Sequence, residues 1–185
     1  NADYYFTDFK EQTVVDYDAD AAHIYLRNLN GKRSYSHTLQ VDASYPLFRG
    51  MTLTAAYRYN FVRQFTDGRM QEKPLNSRYK GLLTASYKTP LELWQFDVTG
   101  LLNGGGELYD QSRYPAYFQL QAQVTREFHN FSLYLGGENL TNYKIDNPVL
   151  HSHHPWSAAF DATQVWGPIT GAMAYVGIRF KLEKL

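Results

Sequence analysis

Alternation of apolar and polar residues is the feature that most constrains how this chain folds. Near the end of the sequence, the side chains at every second position are Ala174, Val176, Ile178, Phe180 and Leu182. The positions between them carry Tyr175, Gly177, Arg179 and Lys181. Because successive side chains of a strand point to opposite faces, this pattern predicts a β-strand with one apolar and one polar face. The nature of the protein depends on whether the apolar face contacts a protein core or lipid.

The same pattern recurs along the whole sequence. It predicts eight strands and no helix, over residues 3–17, 35–45, 51–61, 81–88, 94–102, 117–125, 131–138 and 172–182. No Ser/Gly linker, charge run or low-complexity tract separates them, so residues 1–185 form one all-β domain. Segments of about ten residues are long enough to cross a bilayer when they are tilted by about 45°.

The predicted connections alternate strictly between short and long. The short ones are 46–50, 89–92 and 128–130, and the long ones are 18–33, 66–78, 103–116 and 139–171. Outer-membrane barrels have short periplasmic turns and long external loops, whereas a soluble sandwich has no reason to place every long loop at one end. The polar face is rich in Gln, Thr, Ser and Tyr, which suits a wet lumen. These features predict an antiparallel transmembrane β-barrel segment, with lipid against the apolar face.

Aromatic residues gather near the short-turn ends of the predicted strands. They are Tyr45, Phe48, Tyr87, Trp94, Phe128, Phe131 and Phe180. Aromatic side chains concentrate at membrane–water interfaces, because their rings are apolar and their edges are polar. The placement therefore predicts one interfacial girdle.

Charge and composition exclude several classes of function. The chain has 18 basic and 18 acidic residues, so it lacks the basic excess of a nucleic-acid-binding domain. It has no cysteine, which excludes disulfides and thiol chemistry. It also lacks GxSxG, HExxH, P-loop and GxGxxG motifs, so we expect no enzymatic activity.

Several segments resemble TonB-dependent outer-membrane receptors of Bacteroidetes-type bacteria. The most specific is GGENLTNYK at residues 136–144, which is similar to the element after the penultimate strand of those receptors. WGPITGAMAYVGIRFKL at 166–182 resembles their final strand and the approach to it. The segments at 29–50, 72–87 and 94–106 are similar to parts of their barrel.

This resemblance implies a barrel of 22 antiparallel strands that is closed by an N-terminal plug domain. Residues 1–185 would supply about the last eight strands, and the plug and the segment that contacts TonB would lie outside this sequence. The family imports scarce nutrients, among them siderophore-bound iron, haem, cobalamin and metal complexes, across the bacterial outer membrane with energy delivered through TonB. The implied partners are the plug, the remaining strands, TonB, membrane lipid, lipopolysaccharide and a surface lipoprotein. In such barrels a terminal aromatic residue acts as an assembly signal, and Phe180 is the nearest candidate here.

Three histidines, His151, His153 and His154, stand close together in the last long connection. Imidazole is a common ligand for transition metals and haem iron. In an extended segment, His151 and His153 would point to the same side, and Asp146 and Asp161 could add oxygen ligands. The cluster thus predicts capture of a metal ion, a metal complex or haem as cargo, with no permanently bound cofactor. The alternative is an exposed loop that contains three histidines by chance.

Other candidate contacts follow from the predicted faces and loops. Trp156 and Trp166 could stack on a ligand, or could pack the last loop over the mouth of the barrel. The predicted lumen-facing polar residues are Arg58, Asn60, Gln119, Gln121 and Gln123. Two other classes of protein remain open at this point: a small self-contained outer-membrane barrel with a structural or adhesive role, and a soluble β-sandwich binding module.

Overall fold

Thirteen strands and no helix make up the computed structural model, which describes residues 1–16, 25–66, 68–149, 151–157 and 160–181. The strands are β1 (Ala2–Phe9), β2 (Thr13–Asp16), β3 (Tyr25–Asn28), β4 (Ser34–Phe48), β5 (Met51–Thr66), β6 (Arg69–Glu72), β7 (Tyr79–Lys88), β8 (Trp94–Asn103), β9 (Gly106–Glu107), β10 (Arg113–Tyr114), β11 (Tyr117–Glu127), β12 (Phe131–Glu138) and β13 (Met173–Phe180). None of the described segments is a helix long and apolar enough to cross a membrane.

Eight of these strands form one antiparallel sheet in the order β1-β4-β5-β7-β8-β11-β12-β13. If the short strands in the loops are left out, strands that are neighbours in the sheet are also consecutive in the sequence. The sheet is therefore a meander, and the prediction of an all-β fold with eight main strands is confirmed. β6 pairs with β5 beside this path. Within the described part of the chain, β1 and β13 are the two ends of the sheet and do not pair with each other.

The short and the long connections lie at opposite edges of the sheet, as their alternation in length predicts. Residues 49–50, 89–93 and 128–130 join neighbouring strands by short turns along one edge of the sheet. The four long connections, between β1 and β4, β5 and β7, β8 and β11, and β12 and β13, lie along the opposite edge. Two of them contain small hairpins, β2–β3 and β9–β10, that the alternation pattern does not predict.

The prediction of a single first strand over residues 3–17 is wrong. β1 ends at Phe9, and Thr13–Asp16 forms the separate strand β2, which pairs with β3. Phe9 lies opposite Ser34, the first residue of β4. No partner strand continues beyond that point, so the chain turns away and forms its next hydrogen bonds within the loop.

The register of the strands places the apolar positions together on one face. One row across the sheet runs from Ala85 through Val98, Ala122 and Gly137 to Ala174, each residue opposite the next. Leu83, Phe118, Leu135 and Val176 on the same face are 39% or more exposed. Among the described residues the only buried hydrophobic side chains are Val14, Leu29, Tyr114 and Ile145. No second layer covers this face there, which argues against the β-sandwich alternative.

The opposite face of the sheet is polar and is cross-linked by side-chain hydrogen bonds between neighbouring strands. The pairs on neighbouring strands are Thr38–Asn60 at 3.2 Å, Ser44–Thr54 at 3.0 Å, Thr84–Thr99 at 2.9 Å, and Ser86–Asp97. The hydroxyl of Tyr175 in β13 also donates to Gln123 in β11 at 2.9 Å, across the intervening strand β12. Hydroxyl and amide pairs of this kind contribute a few tenths of a kcal/mol to about 1 kcal/mol each.

The aromatic residues near the short turns lie next to one another along the edge of the sheet where those turns are. Trp94 stacks on Phe96 at 6.3 Å, Phe128 stacks on Phe131 at 4.5 Å, and Phe131 contacts Phe180 at 6.2 Å between ring centroids. The guanidinium of Arg126 lies 4.9 Å from the ring of Trp94. The short-turn edge of the apolar face therefore carries a continuous aromatic belt.

The segment ENLTNY forms a turn that joins the two ends of the last long connection. The side chain of Asn139 is only 3% exposed. Its Nδ2 donates to the carbonyl oxygens of Tyr143 at 2.7 Å and Thr170 at 3.1 Å, and its Oδ1 accepts from the Tyr143 N–H at 3.1 Å. Oδ1 of Asn142 accepts from the N–H of Ala172 at 3.1 Å. This turn fixes how the chain leaves β12 and enters β13.

We expect Asn139→Ala to lower the free energy of unfolding by about 2 kcal/mol, because it leaves buried backbone groups without partners. Urea titration of the purified protein in detergent measures this loss. Asn147→Ala is the matched control, since Asn147 has a similar positive φ of 50° but is exposed. Equal losses in the two variants would show that backbone strain, rather than the hydrogen bonds, sets the cost.

Candidate functional site

An ion pair with a buried carboxylate lies at the edge of the sheet that carries the long connections. Glu72, in β6, is only 7% exposed. The guanidinium of Arg78 donates to both of its carboxylate oxygens, with Nε 2.8 Å from Oε1 and Nη2 2.6 Å from Oε2. The hydrogen bonds to Glu72 raise the pKa of Arg78 above its ordinary value, although partial burial opposes them. A bidentate pair of this kind holds both side chains in one geometry.

Glu107 connects this pair to the next long connection. Its carboxylate lies 3.4 Å from Arg78 Nη2 and 3.5 Å from Arg113 Nη2. The backbone carbonyl of Glu107 accepts a hydrogen bond of 2.8 Å from the N–H of Leu75, and the N–H of Arg78 donates to the carbonyl of Gly105 at 3.1 Å. Two long connections are thus held together by charge and by backbone hydrogen bonds.

Stacked aromatic rings attach the last long connection to the same cluster. Tyr114 is 5% exposed, and burial raises the pKa of its hydroxyl. Its ring stacks on that of Trp166 at 5.2 Å between centroids. Tyr117 stacks on Tyr143 at 4.9 Å and contacts Trp166 at 6.0 Å. We call the set Glu72, Arg78, Glu107, Tyr114 and Trp166 the rim cluster.

The two tryptophans that the sequence proposes as ligand contacts have different surroundings in the structure. Trp166 is packed in the rim cluster, as the packing alternative predicts. Trp156 is 98% exposed, so its ring is free to contact a molecule that approaches from outside.

The histidines lie in turns rather than in an extended segment, which corrects the premise that His151 and His153 share one side. The N–H of His154 donates to the carbonyl of His151 at 2.9 Å, and His151 has a positive φ of 51°. All three histidines are exposed. Among the described residues, no three His, Asp or Glu side chains are grouped so as to hold a metal ion. Capture of metal or haem by His151, His153 and His154 therefore stays a prediction.

Asp161, which the sequence proposes as an oxygen ligand for a metal, accepts hydrogen bonds within its own loop. Its Oδ1 accepts from the N–H and hydroxyl of Thr163, and its Oδ2 accepts from Gln164 Nε2 at 2.7 Å. Burial raises the pKa of Asp161, but these hydrogen bonds outweigh burial and lower it overall. Asp146 is exposed at the surface of the same connection.

All five polar residues proposed for the lumen lie on the polar face of the sheet. Gln123 accepts from the Tyr175 hydroxyl, and Asn60 bonds to Thr38. Gln119 and Gln121 lie opposite Leu101 and Thr99. Arg58 is exposed and lies beside a cavity of about 360 Å³ on this face. Phe180 is on the other face, 66% exposed, and its role in assembly stays a prediction.

Sequence reasoning missed Glu72, Glu107 and Tyr114. These residues lie in segments without period-two alternation, and the contacts between them join connections that are distant along the chain. No spacing rule brings an acid of one loop to an arginine of another. Only the pairing of β5 with β7 and of β7 with β8 places them side by side.

A meandering antiparallel sheet with one apolar face that no described residues cover, and with its long connections at one edge, is the architecture of part of a β-barrel wall. The structure is similar to the siderophore receptor PiuA from Acinetobacter baumannii, with a TM-score of 0.62 and 15% sequence identity. The match covers 97% of this chain and 25% of PiuA, so the chain spans about a quarter of the length of that receptor. No known protein family and no curated protein matches the sequence.

Proposed function

We propose that this chain forms part of the wall and outer rim of a TonB-dependent receptor in the bacterial outer membrane. The observation that carries the proposal is the sheet itself, whose apolar face is uncovered while its polar face is cross-linked by hydrogen bonds. In a bilayer, every backbone N–H and C=O must be paired, so an open sheet edge is costly. The free edges of β1 and β13 therefore need partner strands, which the remaining strands of a larger barrel would supply.

The receptor imports a scarce nutrient, such as siderophore-bound iron, haem, cobalamin or a metal complex, with energy delivered through TonB. The rim cluster supports this role because it holds three long connections together above the sheet, where they can contact a ligand. Transport requires no catalytic residue. A plug domain, TonB, lipopolysaccharide and a surface lipoprotein are the expected partners of the whole receptor.

The intact mass of the native polypeptide tests the membrane part of the proposal. An antibody against residues 139–171 should detect, in the outer-membrane fraction, a protein several times heavier than the 21.4 kDa of this chain. A 21.4 kDa protein in that fraction would support a small barrel instead, and a protein in the soluble fraction would refute membrane insertion.

Nutrient uptake tests the transport part. Cells that express the receptor should accumulate one radiolabelled nutrient from a panel of iron–siderophores, haem, cobalamin and metal complexes, and deletion of TonB should abolish this uptake. Uptake that persists without TonB would remove the energy-coupling proposal and leave the barrel assignment intact.

A further inference from the structure

Two cations lie directly opposite each other on the polar face of the sheet. Arg58 of β5 pairs in register with Lys80 of β7, and both side chains are exposed. Like charges at directly opposed positions of neighbouring strands destabilise a sheet. The pair therefore needs a compensating negative charge nearby.

The described part of the chain supplies no such charge. No carboxylate lies within 4.0 Å of Arg58, Lys80 or the neighbouring Lys73 among the ion pairs of the described residues. The acids of the adjoining loops, Glu72 and Glu107, are held by Arg78.

Two aspartates on the same face form hydrogen bonds elsewhere, Asp3 in the row of Arg58 two strands away and Asp42 in the next row. Asp3 and Asp42 both accept hydrogen bonds from the side-chain amide of Asn1, at 2.7 Å and 3.4 Å. Among the described residues, no carboxylate therefore forms an ion pair with Arg58, Lys73 or Lys80, although the sequence has equal numbers of acidic and basic residues.

A cavity of about 360 Å³ beside β4 and β5 is bordered by two of these cations and by Arg63, whereas Lys80 lies outside its lining. Arg58 and Lys73 line it, together with the hydrogen-bonding side chains of Ser36, Gln64 and Asn76. None of the described residues that line it is an aspartate or a glutamate. Gln12 and Asn76 at the same cavity each have a buried polar atom, Oε1 and Nδ2, without a hydrogen-bond partner. A cavity with cations, amides and a hydroxyl, and without carboxylates, is suited to an oxygen-rich anion.

We infer that this cavity binds a carboxylate- or phosphate-bearing small molecule, with Arg58, Arg63 and Lys73 around its anionic group and Lys80 adding positive charge from its position opposite Arg58. The inference rests on the proposed receptor function, because it assigns the polar face to a water-filled lumen that a ligand can reach. The site would bind the anionic part of the cargo, independently of the exposed histidines.

The test is anion binding by the intact receptor, purified in detergent. Calorimetric titration with citrate and, separately, with inorganic phosphate at constant ionic strength should give saturable binding of at least one of them. Arg58→Gln and Lys73→Gln should each weaken that affinity about tenfold or more, as expected for the loss of a charge-assisted hydrogen bond. Binding of citrate alone would identify a carboxylate ligand, and binding of phosphate alone a phosphate ligand.

Arg69→Gln is the matched control, because Arg69 is an exposed cation at the same edge but does not line the cavity. An equal loss of affinity in this variant would overturn the inference, since general charge rather than the site would then attract the anion. Absence of saturable binding of either anion would also overturn it. A further contrary result is a lower melting temperature of Arg58→Gln and Lys73→Gln that anions do not change, which would show that a carboxylate of the receptor itself occupies the cavity. None of these results bears on the intact mass of the receptor or on its nutrient uptake, which test the proposed function separately.

Discussion

Arg78→Ala should destabilise the protein by about 3 kcal/mol, because it leaves the carboxylate of Glu72 buried without its cation. The value is taken at the lower end of the range for broken buried pairs, since the side chain of Arg78 is 35% exposed and solvent screens part of its charge. The loss should appear as a lower urea midpoint with an unchanged m-value. The long connections that the rim cluster holds together should also be cleaved faster by protease.

Arg113→Ala provides the comparison for this variant. Arg113 contacts Glu107 at 3.5 Å, but its side chain is 68% exposed, so its removal should cost about 0.5 kcal/mol or less. Replacing both partners, as in Glu72→Leu with Arg78→Leu, should recover much of the lost stability, because no buried charge then remains. If Arg78→Ala and Arg113→Ala are equally mild, the buried pair does not stabilise the rim.

Ala122→Arg should strongly reduce assembly in the outer membrane. Ala122 lies opposite Val98 and Gly137 near the middle of the apolar face. An arginine facing lipid near the bilayer midplane costs about 2–4 kcal/mol. The measurements are the amount of receptor in the outer-membrane fraction and its urea unfolding in lipid vesicles.

Gln121→Arg is the control, because the same side chain is introduced one residue away on the opposite face. Gln121 lies opposite Thr99 on the polar face, where an arginine can remain hydrated. We expect a change of about 0.5 kcal/mol or less there. Similar defects in both variants, or none in Ala122→Arg, would contradict the assignment of the apolar face to lipid.

The sheet could be predicted from the sequence because its signal is local. Strands such as 51–61 and 117–125 alternate along most of their length, and the two-residue repeat fixes both the type of element and the face of each side chain. The sequence predicts too long a first strand because residues 13–17 keep a strand-like composition beyond the point where pairing with β4 stops, at Phe9 opposite Ser34. Composition does not report where a partner strand stops.

The rim cluster and the positions of the histidines could not be predicted in the same way. Asn139 could be singled out only as part of a family-like segment, whereas its buried hydrogen bonds to Tyr143 and Thr170 appear only in the folded loop. His151 lies in a turn with positive φ, so the side-chain directions expected for an extended segment do not apply. Irregular backbone has no repeat from which side-chain direction follows.

The sequence by itself determined the class of fold, the two faces of the sheet and the edge at which the long connections lie, because each depends on neighbouring residues and on distances along the chain. The tertiary structure decided which charges are paired and which are not. Glu72 is matched by Arg78 across a loop, whereas Arg58 and Lys80 meet across two strands without a carboxylate among the described residues. Such pairings depend on register and loop packing, which bring residues together through space regardless of their separation in sequence.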